Sequence, residues 1–242
     1  MKTNLQARLQ REKQHGRTII ATEEKNWGWN TPAGHIRWQR RLDYLAGTLA
    51  DKSGTVLEIG VGSGTFTPAL AEVFPNLVGV DISEDLLDIA SRKAPTAKLY
   101  CMDAHNLDFP DNSFEAIVGC SVLHHLDWNL AVSSFYQKLK SGGAIRFSEP
   151  NLLNPQIFLQ KNIPPLKKYL GDSPDEYAFT KWQIQRSLMR AGFTDIKVTP
   201  YEFLHPSTPK HWISNIIKLE NFLSRTPLGH IGGSLLIEAK RS

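Results

Sequence analysis

Between Ser53 and Ser148 short β-branched or apolar runs alternate with segments of helical spacing, and that rhythm narrows the fold more than any other feature of the chain. Strand, helix, strand in succession is the βαβ unit, in which a parallel sheet is covered by the helices that cross over it. Strands are expected at Val56 to Ile59, Leu77 to Asp81, Ala97 to Met102, Ala116 to Cys120 and Ala144 to Ser148. The punctuation between them agrees. Ser83 ahead of Glu84 and Asp85 reads as a capped, acidic first turn, and Pro95 ends that helix. Ala131 to Leu139 has apolar residues at helical spacing, and Ser141-Gly142-Gly143 is expected to stop that helix and turn into the fifth strand.

Beyond the fifth strand the rhythm breaks. Residues 151–178 are rich in proline and aromatic side chains and too long for an ordinary connection, which suggests a lid or wall. A helix from Thr180 to Ala191, closed by Gly192, and a strand from Thr194 to Phe203 restore the pattern. A second insertion, 205–230, holds an expected helix around Ile213 to Leu223, and Gly233 to Lys240 reads as a closing strand.

Composition sets the outer bounds. A chain of 242 residues with 41% hydrophobic and 21% charged residues can bury a sizeable core and is neither fibrous nor disordered in character. The balance of 28 Lys plus Arg against 24 Asp plus Glu weakly favours anionic partners but falls short of a nucleic-acid signature. Basic residues cluster early (Arg8, Arg11, Lys13, Arg17, then Arg37, Arg40 and Arg41), either as a solvated helical face or as a phosphate-contacting patch. Cys101 and Cys120 show no C-x-x-C or metal-like spacing, so a reduced, intracellular chain is expected, with no metal centre. No apolar run approaches the roughly 20 residues of a membrane span, and the N-terminal residues lack the apolar core of a secretory signal. The cytoplasm is the expected location.

The chemistry concentrates in T-V-L-E-I-G-V-G-S-G-T-F-T, residues 55–67. Glycines at a strand-to-helix turn let backbone N–H groups approach a ligand, and the helix that follows offers a partial positive charge. Gly60, Gly62 and Gly64 are placed for that, although a glycine-rich turn can equally serve only to pack a strand on a helix. The spacing is G-x-G-x-G, not the dinucleotide fingerprint G-x-G-x-x-G. Glu58 precedes the first glycine, where a carboxylate would repel a pyrophosphate and suit a cationic amino group. Asp81, ending the second strand, can accept from both hydroxyls of a ribose, or serve as a turn or cap aspartate. Asp103, just after the third, could accept from an adenine amino group while the Ala104 N–H donates to the ring. Three acids at the carboxyl ends of three successive strands point to one ligand, because open α/β sheets bind along that edge.

Taken in order, E-I-G-V-G-S-G, V-G-V-D-I-S, M-D-A-H-N-L-D-F-P-D-N-S-F-E-A-I-V and V-L-H-H-L resemble the successive motifs of class I S-adenosylmethionine-dependent methyltransferases, of the type 11-like domain kind, over roughly Ser53 to Asn151. The resemblance implies a Rossmann-like α/β fold: a seven-stranded, mostly parallel sheet with an antiparallel last strand, helices on both faces, and lid insertions. It implies one methyltransferase domain over 1–242, made of an N-terminal helical cap (1–50), a cofactor-binding core (53–151) and substrate-side insertions (151–178 and 205–230). Carried over by position, it implies that Glu58, Gly60 and Gly62 line the methionine end of S-adenosyl-L-methionine, with Gly64 also among the cofactor-binding residues and S-adenosyl-L-homocysteine as product. Asp81 would then hold the ribose, Ile82 would pack on the adenine, Asp103 and Ala104 would fix the adenine edge, and Cys120 would sit beside the methionine portion.

Such a cofactor needs chiefly a nucleophile aligned behind its methyl and, for a hydroxyl or ammonium acceptor, a general base. His124, His125 and Glu149 stand at the right edge for that task, or else for packing under the cofactor loop and hinging the lid. Trp27, Trp29, His35 and Trp38 could wall a planar or apolar substrate, or could anchor a helix to the sheet; Asn151, Phe158, Tyr169, Tyr177, Phe179 and Trp212 could complete the pocket. Nothing after the fourth strand resembles the N/D-P-P-Y/F/W turn of enzymes that methylate bases or glutamine, since that place reads C-S-V-L-H. A small-molecule, sugar or lipid-linked acceptor is therefore expected. The alternatives are a catalytically weak S-adenosylmethionine-binding module and a tRNA- or protein-directed methyltransferase; nucleic acid is possible but not favoured. The oligomeric state is not legible.

Overall fold

The computed structural model describes residues 7–11, 13–14, 28–170, 172–173 and 176–242. Trp27 and Arg17 lie outside the described residues. Seven strands form one sheet: β1 (Val56–Ile59), β2 (Leu77–Asp81), β3 (Lys98–Cys101), β4 (Phe114–Cys120), β5 (Leu139–Pro150), β6 (Phe193–Tyr201) and β7 (Ser234–Arg241). Their order is β3-β2-β1-β4-β5-β7-β6. The pairs from β3 to β5 are parallel, and β7 runs antiparallel to both β5 and β6. This is the expected mostly parallel Rossmann-like sheet with an antiparallel last strand, and its order reverses between β1 and β4. That reversal is the switch point at which a crevice opens above the strand ends.

The central strands are buried on both faces, so they read as near-continuous apolar runs, and successive residues feed opposite cores. Val56, Ala116 and Val118 face Leu45, Leu70 and Phe74, which come from α1 (Pro32–Ala46), α2 (Thr67–Val73) and its C-cap. Leu57, Ile59, Ile117, Ile145 and Phe147 face Phe135 of α4 (Trp128–Lys138) and Ile184 and Leu188 of α7 (Lys181–Arg190). Each such side chain, wholly removed from water, contributes about 2 kcal/mol.

The helices begin where local chemistry permits. Thr31 Oγ1 accepts from Gly34 N at 2.9 Å ahead of Pro32, which cannot donate and sits where no donor is needed. Ser83 caps α3 (Glu84–Lys93), which carries acids in its first turn and Arg92 and Lys93 in its last, as the macrodipole favours. Thr180 and Gln183 form a reciprocal capping box on α7. One expectation is corrected: Ser141-Gly142-Gly143 lie inside β5, which starts at Leu139 directly after α4. Gly142, at φ +77°, bends the strand, and the pairing with β4 shifts register between Phe114 and Ala116.

The first insertion contains α5 (Pro155–Asn162) and α6 (Pro164–Tyr169), and the second contains α8 (Ile213–Leu223). Ile213, Ile216 and Ile217 of α8 pack with Ala33 and Ile36 of α1. The two insertions share a root. Asn151 Nδ2 donates to His230 O at 2.9 Å and Gly232 O at 2.7 Å, and Asn154 Nδ2 donates to Ile231 O at 2.9 Å. Among the described residues no helix is long and apolar enough to cross a membrane.

Candidate functional site

At the switch point the carboxyl ends of β1, β2 and β4 and the loop after β3 surround one cavity of about 220 Å³. Glu58, Gly60, Gly62, Asp81, Ile82, Asp103, Ala104 and Cys120 all line it, with Trp29, Ser121, Val122, His125 and Leu9 completing the wall.

The glycines divide the work. Gly60 (φ +72°) has no room for a side chain, because a Cβ there would lie 2.4 Å from Val122 Cγ2. Gly62 (φ +55°) has no neighbour among the described residues within 4 Å of where its Cβ would be, and its N–H donates to Asp81 Oδ2 at 2.8 Å. Gly64 does not line the cavity; its Cβ would meet Ala90 at 3.1 Å, so it brings the loop against α3. The other oxygen of Asp81 accepts from Ser83 N at 2.9 Å, so the carboxylate ties the β1 loop to the β2 loop. Burial raises the Asp81 pKa, opposed by hydrogen bonds from the Ser83 and Gly62 backbone.

Glu58 is 4% exposed, and its Oε2 has no hydrogen-bond partner among the described residues. Burial pushes its carboxyl up to about 8, opposed by the neighbouring Thr67 hydroxyl and helped by the Asp81 charge. A buried carboxylate oxygen left without a donor at a cavity wall is costly in isolation and fits a cationic ligand group. Asp103 Oδ1 accepts from His105 N at 2.9 Å and from His105 Nδ1 at 2.6 Å. The Asp127 N–H donates to His105 Nε2 at 2.8 Å, so the proton of this imidazole belongs on Nδ1, facing Asp103. His105 thus holds the carboxylate still, a role the sequence reading did not assign. The signal available was a histidine two residues after the acid.

The proposed bases separate. His125 lines the cavity; His124 and Glu149 do not. Glu149, 1% exposed, accepts from Val122 N and Leu123 N, each at 2.8 Å, through Oε1, and its Oε2 lies 2.7 Å from His124 Nδ1. Every polar atom of that carboxylate is engaged in holding the turn after β4. Burial and the neighbouring His125 lower the His124 pKa. The two imidazoles lie 4.3 Å apart, and His125 Nδ1 is 3.9 Å from Glu176 Oε1. Ligand atoms of His124, His125 and Glu176 fall within 4.8 Å of one another, but Lys161 Nζ already pairs with Glu176 Oε2 at 2.7 Å and with Asp172 Oδ2 at 2.8 Å. Burial alone would raise the Glu176 carboxyl; His125, His124 and Lys161 together hold it well below the usual range.

Other expected pocket residues are placed elsewhere. His35 is exposed, Asn151 is buried in the insertion root, and Phe158, Tyr169 and Trp212 are exposed on their helices. Phe179 belongs to the core with Tyr177 packed against it, while Trp38 stacks on Phe66 at 5.8 Å. Behind Trp29, Arg37 and Arg41 lie with their guanidinium carbons 5.6 and 5.4 Å from its ring.

The chain matches the family described as Methyltransferase domain over residues 57–147. It is 31% identical over 194 residues to the ubiquinone biosynthesis O-methyltransferase of Coxiella burnetii, covering 76% of this chain and 74% of the relative. It is 27% identical over 194 residues to the demethylmenaquinone methyltransferase of Geobacillus stearothermophilus, covering 70% and 82%. Among solved structures it superposes with a TM-score of 0.70 on a Thermotoga maritima protein described as a possible histamine N-methyltransferase, at 20% identity over 94% of this chain and 97% of the other.

Proposed function

Since the chain belongs to the class I S-adenosylmethionine-dependent methyltransferases, we propose that it moves a methyl group from that cofactor to a small-molecule acceptor, free or lipid-linked, within the cavity above β1, β2 and β4. The observation that carries the reading is Glu58 Oε2, buried without a hydrogen-bond partner among the described residues at the same cavity wall as Asp81 and Asp103. A nucleoside bearing a cationic amino acid has the donors those three carboxylates need. Bound there, the cofactor supplies an electrophilic methyl on a sulfonium.

The rest falls to this chain's own side chains. Glu58 accepts from the amino group, Asp81 from the ribose hydroxyls and Asp103, oriented by His105, from the adenine amino group. The left-handed bends at Gly60 and Gly62 shape the loop that walls the ligand. His125 is the imidazole facing the cavity and is the base we assign to an acceptor that must lose a proton. Glu149 and His124 fix the turn that carries it. Trp29 and Ser121 border the acceptor space, and orientation at that point accounts for most of the acceleration a transfer of this kind requires.

The similarity to quinone-precursor methyltransferases, and the absence of an N/D-P-P-Y/F/W turn, favour a small acceptor over tRNA or protein. Calorimetry with S-adenosylmethionine and S-adenosylhomocysteine tests the cofactor site, with binding of both expected. Transfer of radiolabelled methyl to the low-mass fraction of a cell extract tests the acceptor class; label only in RNA or protein would overturn it.

A further inference from the structure

Next to the cavity lies a charge imbalance. Arg41, 3% exposed, forms a forked pair with Glu202 (Nη1 to Oε1 at 2.9 Å, Nη2 to Oε2) and donates to Ser234 Oγ at 3.1 Å. Arg37 brings its Nε within 3.0 Å of the same Glu202 Oε2. Two guanidiniums therefore share one carboxylate. The remaining ionisable neighbours do not redress the balance: burial raises the Tyr201 phenol, and pushes the Cys120 thiol up to about 11, so both are neutral. Arg37 in turn adds to the burial that lowers His205, which stays uncharged.

The surplus sits on Arg37. Its Nε is taken up by Glu202, its terminal nitrogens have no acceptor among the described residues, and the side chain is 17% exposed, which leaves a way in. A guanidinium with its fork unengaged matches a carboxylate or phosphate in geometry as well as charge. Its neighbour Trp29 is a wall of the cofactor cavity, as is Cys120 beside Arg41. Glu202 holds its carboxylate here from a left-handed backbone (φ +72°), strain of a kind that persists at ligand sites.

We propose that Arg37 anchors an oxyanion subsite beside Trp29, so that the methyl acceptor of this enzyme carries a carboxylate or phosphate group. This rests on the reading that the adjoining cavity serves methyl transfer. Arg41 and Glu202 are the fixed base of the subsite, and Arg37 is the member that engages the ligand.

The test uses the full chain saturated with S-adenosylhomocysteine and three aromatic probes of similar size, benzoate, phenyl phosphate and neutral benzamide, with affinities read from chemical-shift titration. One or both anions are expected to bind about tenfold more tightly than benzamide, the effect of a charge-assisted pair, and the stronger of the two identifies the group. Arg37→Gln is expected to erase the preference with affinity for S-adenosylhomocysteine unchanged. Equal binding of anions and benzamide by the wild type, or a preference that survives in R37Q, overturns the subsite. If R37Q fails to fold by circular dichroism, Arg37→Lys, which keeps the charge and removes the fork, is expected to lose most of the preference; full retention overturns the proposal. Failure of S-adenosylhomocysteine to bind at all is a different result, which removes the methyltransfer reading itself.

Discussion

Glu58 and Glu149 are both buried glutamates at the carboxyl ends of adjacent regions of one sheet, and they have opposite fates. Glu149 spends all its acceptor capacity on Val122 N, Leu123 N and His124 Nδ1. Glu58 lines a cavity and has an oxygen with no hydrogen-bond partner among the described residues. Position on the sheet edge is therefore a poor guide to role; the count of unfilled hydrogen-bonding capacity separates the residue that waits for a ligand from the one that builds the wall.

The sharpest way to break that contrast is Glu149→Ala. It strands two backbone N–H groups and a buried imidazole together, and we expect a loss of about 3–5 kcal/mol of stability in urea unfolding. A loss below ~1 kcal/mol would mean that the turn after β4 holds without it. Next comes a pair of glycines. Gly60→Ala adds a clash with Val122 to an unfavourable backbone and is expected to cost about 2–4 kcal/mol of stability. Gly62→Ala, with no described residue near the new Cβ, should cost ~1 kcal/mol and act mainly on cofactor affinity. Equal melting temperatures for the two would remove the distinction drawn between them.

Asp81→Ala should weaken S-adenosylhomocysteine binding by about 1–3 kcal/mol in calorimetry, since it removes a ribose acceptor and unties Gly62 from Ser83. Unchanged affinity would take Asp81 out of the site. The smallest effect concerns pH. With its folded pKa raised from 4.5 to about 8, Glu58 holds a proton in the native chain that the unfolded chain has lost, so ligand-free stability falls as pH rises across that window. A cationic ligand favours the carboxylate, so binding releases the proton and tightens as pH rises toward about 8. Glu58→Gln is expected to flatten both slopes; a wild-type affinity independent of pH would mean that no cation meets Glu58.

The fold was legible because parallel strands buried on both faces leave a local signature: V-L-E-I and L-V-G-V-D stand out as apolar runs, and Ser83, Thr180 and Gly192 punctuate the helices between them. The start of β5 was not, since S-G-G has the composition of a turn and only pairing with β4 makes it strand. In the site, the acids were visible as types at strand ends. Their partners were not, because hydrogen bonds such as His105 to Asp103 depend on side-chain direction, and the Arg37–Glu202 pairing joins residues far apart in the chain. For the same reason sequence alone could not rank His125 above His124 and Glu149, three residues of suitable chemistry of which one lines the cavity.

The amide knot of Asn151 and Asn154 with the 230–232 backbone has a practical meaning for protein engineering. It fastens the start of the first insertion to the end of the second, so each insertion leaves or rejoins the sheet at one fixed place. Chimeras that exchange 155–178 and 205–229 as two separate pieces, keeping both asparagines and the α7 and β6 that lie between them, would move acceptor preference between relatives.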